Sequence, residues 1–322
     1  MYPKIFELLN LPEVSGEIGL EIEIEGRHLQ FQRETHKDWE MKGDGSLRGN
    51  EAIEYVLPGP ISRDQVRGKL GELMDKLTEK HVPARIEPSD RCGVHVHVNC
   101  QQNTFQEVIN HICLYFIVED ILLAYCGESR EGNFYCLRAK DAEYLIARLE
   151  QAILHSDIQR IWEEGDNCRY AGMNMTALDK FGSLEFRSLL TPKDFTEVSV
   201  WVDLLLKIKD RALHYQNPKH MVEALSMSGP VAFFNNIFGY ELGALLAKNV
   251  ENLDLTLYEG VRRIQGLAYI HPVKNPITMF DLEDMGDVRR SPRRRDILEQ
   301  LREIEDDAPE YYDDEPEERG DL

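Results

Sequence analysis

Four short stretches of this chain alternate apolar and polar residues so strictly that each specifies a strand with two chemically different faces. In Gly19-Leu20-Glu21-Ile22-Glu23-Ile24-Glu25-Gly26, successive side chains point to opposite sides. Leu20, Ile22 and Ile24 therefore share one face, and Glu21, Glu23 and Glu25 the other. Gly93–Asn99 sets three valines against His95, His97 and Asn99, and Gly182–Leu189 sets Leu184 and Phe186 against Glu185 and Arg187. Glu51–Leu57 sets Ile53, Tyr55 and Leu57 against Glu54. Singly, each has an ordinary explanation: glutamates in water or opposite lysines, histidines facing solvent, an ion pair between Glu185 and Arg187. Together they imply one ionic sheet face, on which like charges spaced about 7 Å along a strand repel unless a cation sits over them. Carboxylates with an imidazole suit hard Mg²⁺ or Mn²⁺, and arginines suit phosphate oxygens, so the inferred ligand is a metal–nucleotide.

Helical spacing separates these strands, over Ser62–His81, Thr104–Cys126, Asp141–Leu154 and Asp194–Tyr215. Thr104 and Glu107 form the capping-box pattern that opens the second. His111, Glu119 and Asp120 on that helix sit amid Ile109, Ile112, Phe116, Ile117 and Leu123, a spacing that assigns the helix to the core rather than to a site. Among 322 residues with 42% apolar content, no fixed-period repeat or Gly/Ser linker divides the pattern. An α+β domain with a helical C-terminal portion is therefore expected. Residues 1–285 are assigned to this domain, 286–302 to a basic segment and short helix containing Arg289, Arg290, Arg293, Arg294 and Arg295, and 303–322 to an acidic, disordered tail. The tail carries eleven acidic side chains against Arg319 and is a solubilising or partner-docking segment.

The formal charge of −21 argues against an extensive nucleic-acid surface. No apolar run reaches the roughly 18 residues that span a bilayer, and no signal core opens the chain, so a cytoplasmic protein without membrane attachment is expected. The six cysteines form no CxxC pair and are expected to be reduced and mostly buried.

The order GLEIE (Gly19–Glu23), KGDGSL (Lys42–Leu47), EYVLPGP (Glu54–Pro60), CGVHVHVN (Cys92–Asn99), RYAGMN (Arg169–Asn174) and SLEFR (Ser183–Arg187) resembles the amidoligases of the glutamine synthetase and glutamate–cysteine ligase superfamily. The likeness covers about residues 16 to 210. It implies a glutamine synthetase-like catalytic domain, with a curved, mainly antiparallel sheet that binds ATP and two or three Mg²⁺ ions on its concave face and packs helices on the other. By the resemblance, Glu21 and Glu23 serve one metal each, His95 and Glu185 share a metal, and Glu54 is the acidic partner of the other. Arg187 steadies the transferred phosphate. His97, Arg169 and Asn174 are substrate or nucleotide contacts, Arg169 also standing by Arg187 in catalysis, and Asp44 binds or deprotonates the incoming amine. There is no room before Gly19 for the small N-terminal domain that completes a neighbouring site in glutamine synthetase, so its ring assembly is not expected.

The reaction implied is ATP-dependent joining of a carboxylate, from a small molecule or peptide, to an amine through an acyl phosphate, in a bacterial cell or one infected by a virus. Three other readings keep parts of the pattern: a phosphotransferase of related fold, a metal-dependent hydrolase built on His95 and His97, and a non-catalytic binding protein. The segment Gly229–Asn236 is a candidate border of the substrate pocket.

Overall fold

The computed structural model describes residues 2–30, 38–43, 45, 47, 51–79, 83–87, 89–130, 132–133, 136–162 and 170–270. The calls on Asp44, Arg169, the basic segment and the acidic tail lie outside these residues. All the described residues belong to one compact unit, Met1–Lys274.

Each alternating stretch is a strand. β1 (Ile18–Arg27) pairs antiparallel with β3 (Glu51–Val56) on one side. Its other side takes β5 (Gly93–Asn99) along its first half and β4 (Arg85–Glu87) along its last residues. β2 (Glu40–Lys42) extends the sheet beyond β3, while β7 (Ser183–Leu190) and the short β6 (Met173–Asn174) extend it beyond β5. The order is β2-β3-β1-β5-β7-β6, every pair antiparallel. Register then does what alternation alone cannot: it sets Glu21 opposite His95, Glu23 opposite Glu54, and Glu185 opposite both His97 and Asn174. The sheet is thus ionic on one face and apolar on the other, the latter formed by Leu20, Ile22, Ile24, Ile53, Tyr55, Val94, Val96, Val98, Leu184 and Phe186, all buried.

Helices cover the apolar face. α1 (Ile5–Leu8) lies at the N-terminus, and α2 (Val66–Thr78) buries Val66, Leu70, Leu73 and Leu77 at helical spacing. α3 (Phe105–Cys126) opens with the expected capping box, Thr104 accepting from the Glu107 N–H and Glu107 accepting from the Thr104 N–H. It lays His111 and Tyr115 against Phe186 of the sheet. Its length and hydropathy would suit a bilayer, but here protein covers it on nearly every side. α4 (Glu143–His155), α5 (Ala177–Phe181) and α6 (Thr196–Ala212) follow, then α7 (Pro218–Ser228), α8 (Pro230–Ala247) and α9 (Leu253–Ala268).

α9 crosses α3 where Gly260 meets the Ile117 carbonyl, so close that a Cβ there would overlap it. The same crossing is tied by Arg263, which reaches the Phe116 carbonyl (2.7 Å), Glu119 (3.2 Å) and Asp120 (2.6 Å). Burial raises the Glu119 carboxyl to about 7 although Arg263 opposes it. The acids of α3 therefore belong to the core, as their spacing implies. The segment Gly229–Asn236 opens α8, whose partners are α3, α6, α7 and α9; it lies in this helical layer. The five described cysteines are free and buried.

Candidate active site

On the ionic face the side chains of β1, β3, β5 and β7 converge. Glu23, His95 and Glu185 are 4%, 6% and 6% exposed, a degree of burial that charged groups tolerate only with partners. His95 stands at the centre. Its Nδ1 lies 3.1 Å from Glu21 Oε2 and 3.5 Å from Glu185 Oε1, and its Nε2 lies 3.6 Å from Glu23 Oε1. Next along β5, His97 brings Nε2 to 3.5 Å from Glu21 Oε1. Two sets each offer three ligand atoms within 4.8 Å of one another: Glu21, Glu54 and His95, and Glu21, His97 and Glu185. Glu21 is common to both.

Neighbouring groups fix these donors. Glu23 Oε2 accepts the Gly93 N–H at 2.7 Å, and Asn174 donates to Glu185 Oε2 at 2.6 Å. The other end of the Asn174 amide accepts from the Thr176 N–H and hydroxyl. Ser183 Oγ lies 3.1 Å from His97 Nδ1, which leaves Nε2 toward Glu21. Arg187 stands beside Glu185, Nη1 to Oε1 at 3.4 Å. Such supporting contacts hold a ligand side chain in one orientation before an ion arrives.

Electrostatics follow from this crowding. Burial works to raise the Glu21 carboxyl, but the hydrogen bonds and charges of His95 and His97 outweigh it and hold the group well below the usual carboxylate range. Burial and the Arg187 charge push His95 down, whereas Glu21, Glu185 and Glu23 together lift it above its ordinary value of 6.5. The carboxylates thus favour a proton on His95, and Arg187 adds a second positive charge beside Glu185.

The structure gathers eight of the residues singled out in the sequence onto one face: Glu21, Glu23, Glu54, His95, His97, Asn174, Glu185 and Arg187. Two take positions the sequence did not indicate. His97, expected at nucleotide or substrate, offers its Nε2 within a ligand set, and Asn174 has both ends of its amide engaged by protein groups, holding Glu185 from behind. Ser183 and the Gly93 N–H went unnoticed because a serine or a backbone amide carries no signal until the register brings it to a ligand.

The family model described as "Putative amidoligase enzyme" matches residues 15–209, well over half of the chain and every residue of this face. The chain belongs to that amidoligase family. The match ends near the close of α6, so α7, α8 and α9 of this amidoligase lie beyond it. No curated protein matches the sequence.

Proposed function

We propose that this amidoligase is an ATP- and Mg²⁺-dependent carboxylate–amine ligase. The observation that supports this most directly is the pair of three-ligand sets sharing Glu21, with a guanidinium at their edge. The donors fit the ion: three carboxylates and two imidazoles crowd together, with Arg187 paired to Glu185, and an oxygen-rich set of this kind favours Mg²⁺ or Mn²⁺. Glu21, Glu54 and His95 would hold one ion, Glu21, His97 and Glu185 another, with Glu23 kept beside them by Gly93. Bound there, the ions would supply charge neutralisation for phosphate and carboxylate oxygens.

The chain's own groups then divide the work. Arg187, held against Glu185, faces the equatorial oxygens of the phosphoryl group as a carboxylate oxygen attacks the γ-phosphorus and ADP leaves. The product is an acyl phosphate. An amine nitrogen then attacks its carbonyl carbon, inorganic phosphate departs, and the amine loses one proton, for which Asp44 is the acceptor assigned from the sequence. Asn174 and the Gly93 N–H keep Glu185 and Glu23 from rearranging as charge develops, and Ser183 keeps His97 in place.

The test is ATP consumption by the purified protein with Mg²⁺ and pooled carboxylates, amino acids, polyamines and short acidic peptides, products being followed by mass spectrometry. A condensation product lighter by one water, formed with ADP and phosphate, is expected. A phosphorylated acceptor without amide would make the protein a phosphotransferase, and turnover without ATP would make it a hydrolase.

A further inference from the structure

β7 is not regular beside His95. Val94 pairs with Leu189 and Val96 with Phe186, so three steps on β7 oppose two on β5, and both Arg187 and Ser188 stand against His95. Such a bulge bends the strand and redirects a side chain, but it leaves backbone groups out of the ladder. Buried carbonyls of that kind require donors.

One side chain supplies them. Arg130 ends the turn that follows α3 and is 3% exposed. Its Nη2 donates to the Arg187 carbonyl at 2.5 Å, and its Nε donates to the Ser188 carbonyl at 2.9 Å. Nη1 reaches the Asp90 carbonyl, in the turn before β5, at 3.4 Å. Among the described residues, its guanidinium's hydrogen bonds to oxygen all run to backbone carbonyls, the Cys136 thiol is its one further partner, and no carboxylate forms an ion pair with it. A buried charge spent on peptide oxygens is expensive where stability alone is at issue, since an apolar side chain and a regular strand would serve as well. A planar fork spanning two successive carbonyls does something a single donor cannot: it fixes the peptide from which the Arg187 side chain departs.

We infer that Arg130 is a positioning residue, clamping the β7 bulge so that the Arg187 guanidinium is held toward the phosphate of a bound nucleoside triphosphate. The inference rests on the reading of Arg187 as the phosphate-facing group. Three measurements separate the two ideas: Mn²⁺ binding alone, binding of a non-hydrolysable ATP analogue in the presence of Mg²⁺, and thermal unfolding. Each is made on the wild type, Arg187→Ala, Arg130→Lys, Arg130→Met, and the double variant Arg130→Lys/Arg187→Ala.

Arg187→Ala should weaken analogue binding by about ten- to a hundredfold, as loss of charge-assisted hydrogen bonds to phosphate does. Arg130→Lys keeps the charge but not the fork. It should reproduce most of that loss with Mn²⁺ affinity within about twofold of wild type, and it should add little in the Arg187→Ala background, because groups that act through one another are not additive. If Arg130→Met does not fold, Arg130→Lys carries the comparison. Additive losses in the double variant, or a lower melting temperature with unchanged analogue binding, would overturn the positioning role while leaving the ligase reading intact. Unchanged binding in Arg187→Ala would remove the phosphate assignment and this inference with it. A wild type that binds no analogue would count against the ligase reading itself.

Discussion

Glu185 concentrates the chemistry of the site in one side chain. One carboxylate oxygen receives the Asn174 amide at 2.6 Å, while the other lies 3.5 Å from His95 and 3.4 Å from Arg187. Glu185→Gln preserves shape and burial but removes the charge that the Arg187 guanidinium faces and that the proposed metal would use. It should fold, and ligase turnover should fall at least about a hundredfold, the scale of losing one positioned electrostatic group. Circular dichroism and steady-state kinetics check the two halves of that statement, and near-normal turnover would take Glu185 out of the site. Asn174→Ala tests the support separately. Every candidate ligand atom survives, but Glu185 Oε2 loses its amide donor, so metal affinity should fall by about tenfold, within the range seen for outer contacts of a metal site, as read by Mn²⁺ titration.

At the scale of elements, the crossing of α9 over α3 carries the clearest prediction. Alanine is the better helix former by about 1 kcal/mol, so Gly260→Ala would stabilise an exposed helix. Here its Cβ would run into the Ile117 carbonyl, which is backbone and cannot swing away. The substitution should therefore destabilise by roughly 1–3 kcal/mol, the usual range for overpacking, visible as a lower urea midpoint. A neutral or stabilising result would mean that the helices separate freely at this point. The contrast with the strands explains what could be read in advance. Leu20, Ile22 and Ile24 against Glu21, Glu23 and Glu25 declare two faces within a few residues, because strand alternation is local. The start of α3 is equally local, since Thr104 and Glu107 cap it within one turn. What Gly260 and Arg263 do depends on Ile117, Phe116, Glu119 and Asp120, about 140 residues away in the chain, and neither a glycine nor an arginine in a helix announces such a partner. The ends of α4 and α6 shifted by one to three residues from the sequence reading for a related reason: caps and tertiary packing decide where helical spacing stops. The division of ligands into two sets sharing Glu21 was also illegible, because it depends on the register of β1 against β3 and β5 and of β5 against β7.

For the whole molecule, the ionic face couples stability to pH and, on the proposed reading, to metal. In the ion-free protein His95 titrates above its ordinary value of 6.5, so its contribution is fully present below that pH and is lost as pH rises through the native value. Glu21 titrates below its ordinary value of 4.5; its contribution is present above that pH and is lost as pH falls toward the depressed native value. The ion-free protein should therefore gain most from this cluster between about pH 4.5 and 6.5, and lose that stability as pH rises through the native His95 value. Metal binding runs the other way, because it needs neutral imidazoles and ionised carboxylates and so releases the His95 proton. Bound metal stabilises according to its concentration relative to Kd, by about 2.7 kcal/mol at a hundredfold excess over Kd. The difference in melting temperature between Mn²⁺-loaded and EDTA-treated protein should thus widen as pH rises from about 6 through the native His95 value, and His95→Ala should flatten that dependence. Calorimetric titration in buffers of different ionisation enthalpy should show proton release on Mn²⁺ binding near pH 6.5 that disappears in the same variant. A metal-induced shift that is equal at all these pH values would mean that the cation does not replace the His95 proton, and the ligand sets drawn around His95 would have to be abandoned.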